Sequence, residues 1–206
     1  MIQAAILTGD LISSTAKRAS DLDAAMQTLS AGAQEISQWS GSQNHFTRAR
    51  GDGWQLDVTP PERALRAALY LTARLRAADL GLASRIAIGF GAITTLGSGT
   101  LADGHGEAFV TSGQRLDSMR RGEILAVAGA GISPLHRALV LMMSERVSRW
   151  TREQAEALLA VLPPDALTHS ALAEQLGISA QAVGYRLSGA AAAEFRESLR
   201  LWESAA

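Results

Sequence analysis

The stretch Phe46 to Val58, FTRARGDGWQLDV, alternates apolar and polar residues, breaks at Gly51-Asp52-Gly53 and resumes its alternation at Trp54. Asp-Gly between two alternating runs is a strong short-range hairpin signal. Two adjacent antiparallel strands are therefore expected here, with a carboxylate at the tip between two glycines. The turn alone explains the glycines. Whether the acid does more depends on what the rest of the chain brings beside it.

Around that hairpin the pattern changes period several times. QAAILTGDLI reads as a buried strand, apolar from Ala4 to Leu7 and ending at Gly9-Asp10. From Asp21 to Trp39, the residues Leu22, Met26, Leu29, Ala33 and Ile36 follow helical spacing. TPPERALRAALYLTARLRAADLG is a second helix, with Thr59 as a cap, proline in the first turn and Gly81 at the end. SRIAIGFGAITTLGSG returns to a strand. A loop then leads to a helix near Val110–Met119, and GEILAVAG gives a further strand.

Strand, helix, strand, strand, helix, strand is the ferredoxin-like βαββαβ unit, with its helices on one face of an antiparallel sheet. In that unit strand 1 lies beside strand 3. Asp10 and Asp52 would then meet at one sheet edge. The fold class expected is α+β over residues 1–145, followed by a small all-α domain over 146–206.

From Pro134 onward the pattern is helical. VSRWTREQAEALLAVLPP predicts one helix ending at Pro163-Pro164, and LTHSALAEQLGISAQAVGYRLSGA follows. Thr168 and Ser179 are expected caps. Ala173, Gly177 and Val183 supply the small residue, the turn and the apolar anchor of a helix-turn-helix. On its second helix Ser179, Gln181, Tyr185 and Arg186 are the candidate DNA contacts, since Gln pairs with adenine and Arg with guanine. Residues 151–206 carry four basic and seven acidic residues, a net −3, whereas residues 1–150 sum to +2. An acidic tail neutralises few phosphates, so a protein-docking or dimerisation role for these helices stays open.

Two carboxylates at a glycine-flanked edge suit a hard divalent cation, Mg²⁺ or Mn²⁺, completed by nucleotide phosphates. Asp10 and Asp52 are the candidate metal ligands. Gly51 and Gly53 would let backbone amides approach phosphate oxygens. Asp103 and His105, in ADGHGEAF, are candidates to meet a base or phosphate.

AILTGDLISST, RARGDGWQL, SRIAIGFGAI and HGEAFVTSGQRLDS resemble motifs of class III nucleotidyl cyclases. The resemblance implies metal binding by Asp10 and Asp52, a transition-state role for Arg115, and a base-contacting position for Arg48. Thr111 stands where those enzymes carry Asn, and the loop from Gly106 to Arg115 is one residue longer. A degenerate catalytic centre follows. Over nearly the whole chain, GDLISS, GDGWQL, RIAIGFGAIT, DGHGEAF, SGQRLDSM and WTREQAEALL…LAEQLGISAQAVGYRL resemble the SatD family of bacterial proteins. That likeness implies a cyclase-type domain joined to a helix-turn-helix.

The functional expectation is a nucleotide- or ligand-sensing, DNA-binding transcriptional regulator acting as a homodimer. The alternative is an active metal-dependent cyclase or related triphosphate-processing enzyme, also dimeric. With no cysteine, disulfides and thiolate metal sites are excluded. His45, His105, His136 and His169 are scattered without a metal-ligand pattern. No apolar run reaches the roughly 18 residues of a membrane span, and the N-terminus lacks the features of a signal peptide. A cytoplasmic protein with no membrane partner is expected.

Overall fold

The computed structural model describes residues 4–39, 41–49, 51–98 and 100–205. The first two thirds run as β1 (Ala4–Ile12), α1 (Ala19–Gln38), β2 (Phe46–Arg48), β3 (Gly53–Val58), α2 (Ala64–Ala77) and β4 (Ala83–Gly91). Then come β5 (Ile93–Thr95), β6 (His105–Gly106), α3 (Glu107–Asp117) and β7 (Leu125–Gly129). Five helices close the chain: α4 (Pro134–Ser148), α5 (Arg152–Leu158), α6 (His169–Leu176), α7 (Ala180–Gly189) and α8 (Ala192–Ser204). The architecture is mixed α+β.

Five strands form one sheet in the order β2-β3-β1-β4-β7, and β5 pairs with β6 in a separate ribbon. β1 is antiparallel to both β3 and β4, whereas β4 and β7 are parallel. A parallel neighbour needs a crossover, and α3 supplies it. The pairings among β1, β2, β3 and β4 are all antiparallel, and the parallel one belongs to β7, the further strand read at Gly122 to Gly129.

Alternation along β1 sorts the two faces. Ala5, Leu7 and Leu11 join the main core with Leu29 of α1 and Leu65 and Leu69 of α2. Ile6 instead packs with Leu101, Ala108 and Phe109, beneath α3. Farther along that second face, Ala87 and Ala126 meet Leu116 and Met119. At Gly89 an added Cβ would come within 2.5 Å of the Ser112 amide nitrogen. Only a residue without a side chain lets α3 lie this close to β4.

Two helix boundaries differ from expectation. The single helix through Trp150 is instead split into α4 and α5. Thr151 and Gln154 form a capping box there, and the Trp150 indole donates to the Ala190 carbonyl at 3.1 Å. Reciprocal capping satisfies amides that a continuous helix would have bonded internally. At the other site α2 begins at Ala64, after a 3₁₀ turn over Pro61–Arg63 whose cap position is Pro60 rather than Thr59.

The hydrophobic core runs without a break from the sheet into the C-terminal helices, through Leu158, Leu162, Phe195 and Leu199. Phe90 of β4 and Trp202 of α8 are packed ring against ring at 6.2 Å. Beside this contact Arg66 of α2 holds Glu203 of α8 through two bonds of 2.5 and 2.8 Å and donates a third to the Leu162 carbonyl. Thr168 and Ser179 cap α6 and α7 as expected, and Gly177 turns between them at a φ of 64°. A left-handed residue there costs least as glycine.

Candidate functional site

The sheet brings Asp10 and Asp52 together. In the β1–β3 register Asp10 lies opposite Gly53, and the Leu11 amide donates to the Asp52 carbonyl at 3.1 Å. Gly51 makes the turn with a φ of 73°. Thus the glycine before Asp52 serves the backbone, and the acid lands beside the end of β1.

The same end of the sheet contains a residue outside the expected site set. Across β1 on its other side, Asp10 is paired in register with Arg85 of β4. The Arg85 guanidinium grips the Asp10 carboxylate with both of its oxygens engaged, Nε to Oδ1 at 2.9 Å and Nη2 to Oδ2. Such two-point pairing is the favoured arginine–carboxylate geometry. Asp52 is held differently, accepting from the Ser14 hydroxyl. The Asp10 hydrogen bond raises the Arg85 pKa most; the charges of Asp10, Asp117 and Asp52 add to it, and burial opposes them. Arg85 is thus the counter-charge of an acidic edge.

Beneath the edge the backbone is pinned. Trp54 is fully buried and its indole donates to Ser84 Oγ at 2.9 Å, while Ser84 Oγ donates to the Asp10 carbonyl at 2.7 Å. Gly9 has its own packing reason, because a Cβ there would fall 2.5 Å from the Trp54 ring. Trp54 and Ser84 fix where Asp10 and Arg85 emerge, and neither carries an obvious signal in a linear reading.

The donor set is two carboxylates and a hydroxyl, all hard oxygens of the class Mg²⁺ and Mn²⁺ prefer. Among the described residues no group of three or more His, Asp or Glu could hold a metal ion. Asp10 and Asp52 therefore fit a cation only as a two-carboxylate platform completed from elsewhere. In the arrangement found, Asp10 is already occupied by Arg85.

The remaining expected site residues lie apart from this pair. Arg115, expected to stabilise a transition state, is ion-paired with the buried Glu123 and donates to Ser118 Oγ at 3.3 Å. It lines a cavity of about 450 Å³ with Arg120, Arg137 and Leu141, at the β7 side of α3. Thr111 is half-buried one helical turn earlier on α3. Arg48 is bonded to Asp23 of α1 at 2.6 Å. Asp103 closes a 3₁₀ turn and accepts from the Ser98 hydroxyl at 2.9 Å; that bond, with the Ser98 amide, lowers its pKa. His105 is exposed in β6, across from Thr95. Neither is held in the Asp10–Arg85 pair.

On α7, Gln181 and Tyr185 are exposed, Tyr185 to 71%, and bonded to one another at 3.2 Å. Ser179 is engaged as the helix cap. Arg186 departs from its expected role as a free base-contacting side chain, since it is half-buried and bonded to Glu156 of α5 at 3.1 Å. The acid that holds it, Glu156 on α5, is a tertiary partner 30 positions away in the chain.

A further polar cluster escaped the linear reading. Asp57 of β3 is buried, and its carboxylate accepts from the His45 amide and faces His45 Nδ1. Among the described residues no helix is long and apolar enough to cross a membrane.

No protein-family model matches the chain, and no curated protein does either. Solved structures do. A bacterial light-regulated adenylyl cyclase is similar with a TM-score of 0.40 and 12% identity, over 73% of this chain and 81% of that one. A second structure of a bacterial light-regulated adenylyl cyclase has a TM-score of 0.40 and 11% identity, over 72% of this chain and 58% of the other.

Proposed function

We propose that this chain is a nucleotide-sensing regulator whose ferredoxin-like, cyclase-type sheet binds a nucleotide through a divalent cation at Asp10 and Asp52. The observation that carries this reading is the placement of Asp10, near the end of β1, beside Asp52, in the turn that leads into β3. A cation bound there, Mg²⁺ or Mn²⁺, would supply positive charge to phosphate oxygens. Asp10 and Asp52 hold it, Ser14 orients Asp52, and Ser84 and Trp54 keep the strand end in place.

Sensing is favoured over turnover by the surroundings. Arg115 is committed to Glu123, and Thr111 lacks an amide to position a ribose. Stabilising charge on a leaving pyrophosphate needs donors already aimed at it. The C-terminal helices then carry the output, through a helix-turn-helix whose exposed Gln181 and Tyr185 contact DNA as a homodimer.

The test is incubation of the purified protein with ATP, GTP, CTP and UTP in Mn²⁺, with calorimetry for binding and mass analysis of the products. Saturable binding of an intact nucleotide, lost in Asp52→Asn, is expected. A processed nucleotide formed by the wild type and not by Asp52→Asn would make the chain an enzyme instead. No binding of any nucleotide would end both readings. For the output, a low-salt gel shift on the protein's own upstream DNA should show a band that Tyr185→Ala weakens. Absence of any shift, with or without nucleotide, removes the DNA-binding part.

A further inference from the structure

A cation and Arg85 would compete for the same Asp10 carboxylate. Both of its oxygens are engaged by the guanidinium, and the two residues are directly opposed across β1 and β4. The backbone of both strands is tied by the Ser84 hydroxyl, which is 1% exposed and bonded to the Asp10 carbonyl. Strand separation is therefore not the way to free Asp10. The side chains differ from the backbone in this respect: Arg85 is 34% and Asp10 25% exposed, so the guanidinium has solvent on one side.

The guanidinium also feels negative charge beyond Asp10. Asp117, the last residue of α3, is exposed and is among the charges acting on Arg85. Among the described residues Asp117 has no hydrogen-bond or ion-pair partner. Arginine's long stem and planar fork let one side chain serve alternative carboxylates with little backbone change.

We propose that Arg85 is an internal competitor of the cation: it neutralises Asp10 in the unliganded chain and gives up its two-point hold on that carboxylate when a divalent cation takes the Asp10–Asp52 edge. This rests on the cation-binding reading above. The device makes the edge stable without metal, because two neighbouring carboxylates lacking a counter-charge repel each other. It also makes cation binding weaker than the bare carboxylates would allow, so that a nucleotide's phosphates are needed to complete a stable site. Arg85 is a positioning residue here, acting on Asp10.

The experiment is Mn²⁺ titration of the full chain, followed by the loss of the free-ion paramagnetic resonance signal, with no nucleotide present. Arg85→Met keeps the aliphatic stem and removes the charge. It is expected to tighten Mn²⁺ binding by about two- to fivefold, the scale of a partly exposed ion pair. Equal or weaker binding by Arg85→Met, with the wild type still binding, overturns the competitor while leaving the cation site intact. Binding by neither protein overturns both the competitor and the cation reading. Should Arg85→Met fail to fold, Arg85→Gln carries the same expectation and the same refutation.

Discussion

Two arginine–carboxylate pairs hold this molecule at opposite depths. Arg66 and Glu203 join α2 to α8, with side chains 8% and 22% exposed, and Arg66 spends a third bond on the Leu162 carbonyl. Arg85 and Asp10 join two adjacent strands, at 34% and 25% exposure. The chemistry is the same, and the surroundings decide the role. A buried guanidinium cannot lose its partner without leaving an uncompensated charge in a poorly polarisable interior. A guanidinium with solvent on one side has water to turn to. The first pair fastens, and the second can exchange.

The sharpest way to break that comparison is Glu203→Ala. It should cost about 3–5 kcal/mol, measured by chemical denaturation, because Arg66 stays buried and unpaired. A loss below about 1 kcal/mol would show that the C-terminal helix is not locked by this pair. Next comes Trp150→Phe, which keeps an aromatic ring but orphans the Ala190 carbonyl that the indole satisfies. Its expected cost is about 1–3 kcal/mol. Arg85→Met should change stability by at most about 1 kcal/mol, and a larger loss would mean that the edge pair is structural after all.

A third network lies between the two extremes. Tyr70 donates to Glu35, which Arg74 also holds at 2.7 Å. Burial, followed by the hydrogen bond to Glu35, pushes the Tyr70 phenol well above its ordinary value. A raised folded-state value favours the neutral phenol, so this contribution is whole below about pH 10, the unfolded phenol's value, and is lost as pH climbs above it. Wild type should therefore lose stability relative to Tyr70→Phe in alkaline denaturation, and parallel curves would refute it. The smallest effect is expected at Tyr185→Ala, within about 0.5 kcal/mol, since the ring is exposed.

Much of the frame was legible because its signals are local. Gly51 and Asp52 form the turn that turn chemistry predicts, and Gly53 opens β3. Thr168, Gly177 and Ser179 mark the ends of α6 and α7 by the same capping physics that the structure displays. The break at Thr151 was missed because apolar spacing runs across it and the capping box competes only weakly in a linear reading. Asp10 and Asp52 could be placed side by side from the element order, since an antiparallel pairing of strands 1 and 3 leaves them no other edge.

Local signals set most of the elements and the meeting of two acids. Periodicity, turn residues and caps act over a few residues, and each segment carries its own. Which charges answer each other follows from the assembled sheet and helices. Arg85 lies 75 positions from Asp10, Arg186 30 from Glu156, and Arg66 137 from Glu203. A side chain's partner depends on strand register and helix packing, and a one-residue slip in register would turn Arg85 to the opposite face of the sheet. The acids at the edge could be read from the chain; the arginine that holds one of them could be found only after the sheet was assembled.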